Sequence, residues 1–375
     1  MATLSEEFRF RDVYNQRVVA ALASRLATAL PGFCADAFAA DACRDLEALG
    51  MNERIAQITA ALRRALPTDF PSAAAALLAA QEPPQPEPGK TDWDAFIVLP
   101  QCRLVAESGR GHVALSLEVL RELTQRLSAE ADLRTFLEVD YAKTWSTLER
   151  WCSDPDPHVR RLVSEGTRPR LPMAPRIRRF CDDPRPLLDL LARLRDDPSL
   201  YVRRSVANNL NDIAKDNPEL ALDVLERWQR EASPNTRALV RHAARTLLKA
   251  GHPRALALFG LGGAAVAVTL SVPEPVVRIG GSVTFVAELV SQSDAAQLLH
   301  IDYVVDFVKA DGHRRPKVFK WTERTLAPGE QLRLTRRQHM RPTSGRPLYP
   351  GWHSVSLQIN GVRLGEAAFE VRAAP

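Results

Sequence analysis

Glu165 stands alone as an acid in a stretch dense with arginine. Between His158 and Phe180 the chain carries Arg160, Arg161, Arg168, Arg170, Arg176, Arg178 and Arg179. A guanidinium presents a rigid planar fork that matches phosphate, so this density points toward a polyanionic partner. The bias is local: the whole chain sets 50 Lys and Arg against 45 Asp and Glu, a formal net charge of +5. A second polar cluster follows with Arg203, Arg204, Asn208, Asn209 and Asp212, and a third group holds Arg241 and His242. Metal chemistry finds no footing, because the eight histidines form no HExxH and no Cys/His cluster. Cys34, Cys43, Cys102, Cys152 and Cys181 form no CxxC pair and read as free thiols of a reducing cytoplasm. Gly260 to Ala265 satisfies GxGxxA, but a dinucleotide site needs a helix next and β-rich sequence follows, so it reads as a junction. No run approaches ~18 apolar residues and the N-terminus is polar, so neither export nor a membrane span is expected. A cytoplasmic protein without metal or cofactor is the expectation.

The spacing of the polar clusters identifies the elements that carry them. Val159-Arg160-Arg161-Leu162-Val163, Val202-Arg203-Arg204-Ser205-Val206 and Val240-Arg241-His242-Ala243-Ala244 align without gaps, 43 and 38 residues apart. Each follows a turn signal: Asp-Pro at 154–157, Asp197-Pro198, and Ser233-Pro234. A period of ~40 residues with two helices per unit is the HEAT/armadillo pattern, whose pairs stack into a solenoid with a concave groove. At ~100° per residue from Val202, the side chains of Val206, Leu210 and Ile213 fall within about 80° and form a core stripe. Arg204, Asn208 and Asp212 fall at about 200°, 240° and 280°, away from that core. The register stacks Arg161, Arg204 and His242 in one row and Glu165, Asn208 and Thr246 in another, in a polar, mostly basic groove that also holds Asp212. Pattern alone leaves a second reading open. Arg161/Glu165 and Asn208/Asp212 are i,i+4 neighbours, and such pairs also mark an ordinary solvated helix face. Arg160 and Arg203 point to about 100° and are expected to pair with Asp156 or Asp197 in the turns. Trp93, Trp145, Trp151 and Trp228 are expected in the core.

Residues 3–80 read as further helices, with Val18, Val19, Leu22, Leu26 and Leu30 at three- and four-residue steps and Pro31-Gly32 ending the run. QEPPQPEPGK at 81–90 is a Pro-rich loop inside the array, since helical patterning resumes from Trp93. From about Ala264 the runs AVAVTLSV, VTFVAELV, IDYVVDFV, LRLTRR, HSVSLQI and AAFEVRA alternate with Gly, Pro and Asp punctuation. That argues for an immunoglobulin-like sandwich lacking a cysteine pair. The expected fold class is multidomain: an all-α HEAT-like repeat solenoid over 1–260 and an all-β immunoglobulin-like sandwich over 264–375. Arg314, Arg315, Lys317 and Lys320 are expected in or beside one hairpin loop of the sandwich, and Arg333, Arg336, Arg337 and Arg341 in another. They would serve as a clamp on the polyanionic partner or as a solubility or docking surface.

DPDPHVRRLVSEGTRPRLPMA (154–174) and DPSLYVRRSVANNLNDIAKDNP (197–218) resemble the signature segments of the AlkC-type DNA alkylation-repair glycosylases. RELTQRLSAEADLRTFL (121–137) resembles a third, and a C-terminal immunoglobulin-like domain occurs in a subset of that family. The resemblance implies a monomer acting on alkylation-damaged duplex DNA to excise cationic 3-methylcytosine, 3-methyladenine and 1-methyladenine. Alkylation at a ring nitrogen makes the base a cationic leaving group that departs without a general acid. The enzyme must stabilise an oxocarbenium-like sugar and place a water on it, and a partly desolvated carboxylate does both. Many glycosylases flip the base into a pocket; this resemblance implies a kinked duplex approached from the backbone side, without flipping.

Matched residue by residue, the family's acidic positions fall on Glu165 in SEGTRPRLP, Asp212 in NNLND and Glu130 in RLSAEADLR. The implied roles give Glu165 and Asp212 the sugar cation and the water, with Glu130 assisting. Arg161, Arg168, Arg170 and Arg204 would hold phosphates, and Asn208, Asn209, His242 and Met173 would also lie at the DNA. The family typically reads PRLPWA, whereas Met173 stands at the Trp position and removes a flat cation–π platform. Two other readings are a HEAT scaffold that binds a protein partner and a non-catalytic relative that binds distorted DNA. A protein-binding groove would show more exposed aromatics, and the acids at 165 and 212 speak against lost chemistry.

Overall fold

The computed structural model describes residues 9–85, 92–231, 233–343 and 347–373. Of the Pro-rich segment, residues 86–90 lie outside the described residues, as do the first residues of the helical stretch expected from residue 3. The helices run in order as α1 (Gln16–Ala29), α2 (Ala35–Ala42), α3 (Met51–Ala65), α4 (Phe70–Ala79), α5 (Val98–Ser108), α6 (Val113–Thr124), α7 (Glu130–Val139) and α8 (Tyr141–Trp151). They continue as α9 (Pro157–Gly166), α10 (Arg178–Asp182), α11 (Arg185–Leu194), α12 (Leu200–Asp216), α13 (Pro218–Arg230), α14 (Pro234–Ala243), α15 (Arg245–Lys249) and α16 (Pro253–Leu258). Eight strands follow among the described residues: β1 (Val266–Ser271), β2 (Val276–Arg278), β3 (Ser282–Ser291), β4 (Gln297–Val308), β5 (Arg314–Leu326), β6 (Gln331–His339), β7 (Gly351–Ile359) and β8 (Val362–Arg372). The class is thus a HEAT-like helical array followed by an immunoglobulin-like sandwich. Two compact units divide the chain: one runs up to Asn217 and takes in Glu231–Ala243, and the other holds Pro218–Arg230 and the chain from Ala244 onward.

Local chemistry sets the helix starts in the first unit. Asn15 caps α1 by accepting from Arg17 N and Val18 N, Asp140 caps α8 through Lys143 N, and Asp156 caps α9 with Pro157 in its first position. The repeated Val-Arg-Arg segments open α9, α12 and α14, and α12 packs against the other two. Val202, Val206, Leu210 and Ile213 are fully buried along α12, each worth about 1.5–3 kcal/mol of burial. The first Arg of each segment ties the turns. Arg160 forks onto Asp197 of the next repeat at 2.6 and 3.0 Å and donates to the Asp154 and Pro155 carbonyls, while Arg203 donates to those of Asp197 and Pro198. Gly166 closes α9 against α7, where an added Cβ would meet Leu133 Cδ2 at 2.5 Å. Trp151 and Trp228 are buried, whereas Trp93 is exposed beside Phe10 and Phe96.

In the second unit, a three-stranded sheet ordered β1-β3-β6 faces a five-stranded sheet ordered β2-β8-β7-β4-β5. Alternate residues Phe285, Ala287 and Leu289 of β3, Ile301, Tyr303, Val305 and Phe307 of β4, and Val355, Leu357 and Ile359 of β7 meet in the core. β5 and β6 are edge strands, one in each sheet. Arg314 and Arg315 open β5 directly beside the 309–313 turn, with Lys317 and Lys320 further along the strand, while Arg333, Arg336 and Arg337 lie along β6 and Arg341 just past its end. Edge strands accept such charge because one side of their ladder is open to water.

Candidate active site

The acids expected to do chemistry come together in the first unit, but not on an open face. Glu165 sits in the last turn of α9 and Asp212 in the last turns of α12. Arg168 turns back from the connection after α9 and bridges them. Its Nη1 donates to Glu165 Oε1 at 2.6 Å and its Nε to Asp212 Oδ2 at 2.8 Å. Ser205 Oγ donates to Glu165 Oε2 at 2.6 Å, and Lys215 Nζ to Asp212 Oδ1 at 2.8 Å. On the other flank, Arg161 Nη1 donates to Glu130 Oε2 at 2.8 Å while its Nη2 lies 3.5 Å from Glu165 Oε1. The Arg161 guanidinium also stacks over the Tyr201 ring, 4.7 Å from its centroid. The result is a chain of alternating charge, Glu130–Arg161–Glu165–Arg168–Asp212–Lys215.

Burial alone would push the Glu165 carboxyl up, but Arg161 and Arg168, with the Ser205 hydroxyl, hold it below the usual carboxylate range. It is therefore ionised at neutral pH. Arg161 and Arg168 feel the reciprocal effect, and their neighbouring carboxylates raise both guanidinium pKa values against burial. Access separates the three acids. Glu165 is 4% exposed and Asp212 0%, whereas the Glu130 side chain is 26% exposed. Glu130 lines a cleft of about 300 Å³ with Ser128, His158, Arg161 and Tyr201, and also a cavity of about 580 Å³ with Asp132, Leu171 and Met173.

This geometry corrects several expectations. Glu165 and Asp212 are not on a solvated groove, because α12 outlasts α9 and the connection 167–177 lies along its final turns. Arg168 and Arg170 were expected on phosphate. Arg168 is buried between the two acids, and Arg170 forks onto Asp216, with Nε donating to Oδ2 at 2.7 Å. Asn209 is fully buried and donates to the Ser164 carbonyl and Thr167 Oγ1, so it ties α12 to α9 rather than meeting DNA. Arg204 and His242 are exposed, and His242 Nε2 lies 3.1 Å from Asn208 Oδ1. Both line a small cleft of about 120 Å³. Met173 is 83% exposed at φ 61°, a left-handed conformation uncommon for a residue with a Cβ.

Sequence reasoning missed the groups that hold this arrangement. Arg134, a buried arginine of α7, donates to the Arg168 carbonyl at 2.8 Å and to the Pro175 carbonyl, pinning both ends of the connection. Burial lowers its pKa to about 10. Asp132, in the first turn of α7, is pushed up to about 7 by burial, with Arg103 pulling the other way. Among the described residues, no group of three or more His, Cys, Asp or Glu side chains is placed to hold a metal ion, and no helix is long and apolar enough to cross a membrane.

The whole chain is similar to a solved structure of Pseudomonas fluorescens alkylpurine DNA glycosylase AlkC, bound to DNA containing an abasic-site analog. The two are 37% identical with a TM-score of 0.90, covering 98% of this chain and 100% of that one. The chain belongs to the AlkC-type family of DNA alkylation-repair glycosylases. It is also 36% identical over 365 residues, 96% of its length, to the Bacillus subtilis (strain 168) protein YhaZ, itself described as uncharacterized, of which it covers 99%. Residues 267–373 match the family model for the C-terminal Ig-like domain of YhaZ. In this AlkC-type chain the acids at 130, 165 and 212 are thus brought into one linked cluster, and Met173 occupies the rim of the cavity beside it.

Proposed function

We propose that the protein hydrolyses the N-glycosidic bond of cationic N-alkylated bases in duplex DNA, with 3-methylcytosine, 3-methyladenine and 1-methyladenine as substrates and no base flipping. The observation that carries this reading is the charge-linked acid cluster, in which Glu165 and Asp212 are buried against Arg161, Arg168 and Lys215 while one carboxylate, Glu130, faces open clefts. As the bond breaks, its electron pair goes to the base and neutralises it, and the sugar becomes oxocarbenium-like. Glu130 stabilises that cation and accepts a proton from the water that adds to the anomeric carbon. Glu165 and Asp212 act behind it. They hold Arg161 and Arg168, and through them the position of Glu130 and the path of the 167–177 connection. Arg204, Asn208 and His242 contact the duplex from the exposed row, and the basic edges β5 and β6 add a DNA-binding surface on the sandwich. The protein works as a monomer.

The test is release of free base from duplex DNA treated with a methylating agent. Release by the wild type, lost in Glu130→Gln and in Glu165→Gln, is the expected result. Tight duplex binding with no release would replace this reading with a binder of distorted DNA, and Met173→Trp would then be the first reversion to make.

A further inference from the structure

The arginines between residues 158 and 180 divide into two sets. Arg160, Arg161, Arg168 and Arg170 are all committed to carboxylates of the protein itself. Arg176, Arg178 and Arg179 are exposed, and none has an ion-pair partner among the described residues. These three converge on a cleft of about 560 Å³ between the end of α7, the start of α8 and the entry to α10, which Arg134, Glu138 and Tyr141 also line. Glu138 is the one acid in that wall. Like charges gathered in one concavity repel each other unless an external anion neutralises them.

Arg179 is oriented as well as charged. Its guanidinium carbon lies 4.3 Å from the Tyr141 ring centroid, and Tyr141 stacks on Trp145 at 5.3 Å and 19°. A guanidinium anchored over a ring is held in place against the cleft, and its planar set of N–H donors suits the oxygens of a phosphate. The cleft is also built from the active-site connection. Arg134 lines it while holding the Arg168 and Pro175 carbonyls, and Pro175 borders the cavity that contains Met173 and Glu130.

We infer that the Arg176–Arg178–Arg179 cleft is a second DNA site, which takes backbone phosphates flanking the lesion while the Glu130 side meets the damaged nucleotide. This rests on the proposed function only in requiring that the protein bind duplex DNA. Seating the strand there fixes the 167–177 connection and, through Arg134, its register against the acid cluster.

The experiment is fluorescence anisotropy of the full chain with a labelled duplex containing an abasic-site analog, across a series of salt concentrations. Each phosphate neutralised contributes about 0.9 to the slope of log K against log salt. Arg176→Gln/Arg178→Gln/Arg179→Gln should therefore flatten the slope by about 2–3 and weaken binding roughly 100-fold near 0.1 M salt. Arg178→Glu alone, with its melting temperature measured in parallel, gives the same test with a single exposed change, and should flatten the slope by about 1. Variants that melt like the wild type and bind duplex with its slope overturn the inference, and a loss confined to an acidic polyglutamate probe would assign the cleft to an acidic protein instead. Wild-type protein without salt-dependent duplex binding would remove this inference and the proposed function together; variants that keep the slope of a binding wild type remove the inference alone.

Discussion

Replacing Glu130 by Gln removes one negative charge at the mouth of the acid cluster while keeping the side chain's shape. A unit charge ~4 Å from the sugar cation, at an effective dielectric of about 20, is worth about 4 kcal/mol. Arg161, 2.8 Å from Glu130, offsets part of that field; an offset of one half leaves about 2 kcal/mol. The expected loss in the rate of excision is therefore about 30- to 1000-fold. Because Glu130 is partly exposed, its melting temperature should stay close to that of the wild type. Glu165→Gln is a different perturbation. Glu165 is buried, and its loss leaves Arg161 and Arg168 short of a counter-charge inside the protein. Breaking a buried pair from one side costs roughly 3–5 kcal/mol, a fall in melting temperature of about 6–20 °C for a unit of this size. The unbalanced cation also opposes the developing sugar charge, so excision is lost too. The assay is single-turnover base release from a duplex with one 3-methylcytosine, beside calorimetric melts. Glu130→Gln excising within about threefold of wild type would refute its contact with the sugar, and a wild-type melt for Glu165→Gln would refute the ion-pair account.

On the proposed function, Met173→Trp sets a flat ring at the cavity shared with Glu130, and a cation–π contact of about 0.5–2 kcal/mol should raise the excision rate roughly 2- to 30-fold; steady-state release on cationic lesions measures it. In the sandwich, His300 lies 3.4 Å from Asp302 and 2.7 Å from Glu323, and these acids raise its pKa against burial. A raised folded pKa stabilises fully below the unfolded value of about 6.5 and ceases to do so as pH rises through the folded one. The melting temperature of wild type should thus exceed that of His300→Gln most at mildly acidic pH, with the gap narrowing on the alkaline side; a gap that widens with pH would contradict the pairing.

The periodic parts of the fold were legible in the sequence. Val202, Val206, Leu210 and Ile213 repeat at helical spacing, so their core stripe was named in advance, and runs such as VTFVAELV and HSVSLQI marked β3 and β7 as strands. β5 was hidden because RRPKVFKWTERTL interleaves charge with apolar residues, a pattern that an edge strand accepts and a buried strand does not. The acids were legible as positions, but their surroundings were not. The helical projection set Asp212 apart from the core stripe, although at about 280° it lies only about 80° from Val202, on the flank of that stripe. What buries it is the irregular connection 167–177, whose path depends on Arg134 and on Met173 in a left-handed conformation. No periodicity encodes such a path.

The pairing of the acids bears on how a protein can bring carboxylates to DNA at all. Three bare carboxylates beside a phosphate backbone would repel the substrate they are meant to act on. Here Glu130, Glu165 and Asp212 are matched by Arg161, Arg168 and Lys215, so the cluster approaches neutrality, and of its three acids Glu130 is the one that reaches solvent. Such an arrangement makes its members interdependent. In Glu165→Gln the buried Arg168 loses its nearest counter-charge, whereas in Glu165→Gln/Arg168→Gln no such charge is left behind, and Asp212 keeps Lys215 at 2.8 Å. Replacing a buried pair by neutral groups is often near neutral, so the double variant should recover about 1–3 kcal/mol relative to Glu165→Gln. Excision should not recover with it, because Arg161 and the connection remain displaced around Glu130. Thermal melts and single-turnover release on the same preparations separate the two effects. A double variant with no recovery beyond the sum of the two single losses would mean that Arg168 holds the fold through the packing of its side chain, and not through the acids it bridges.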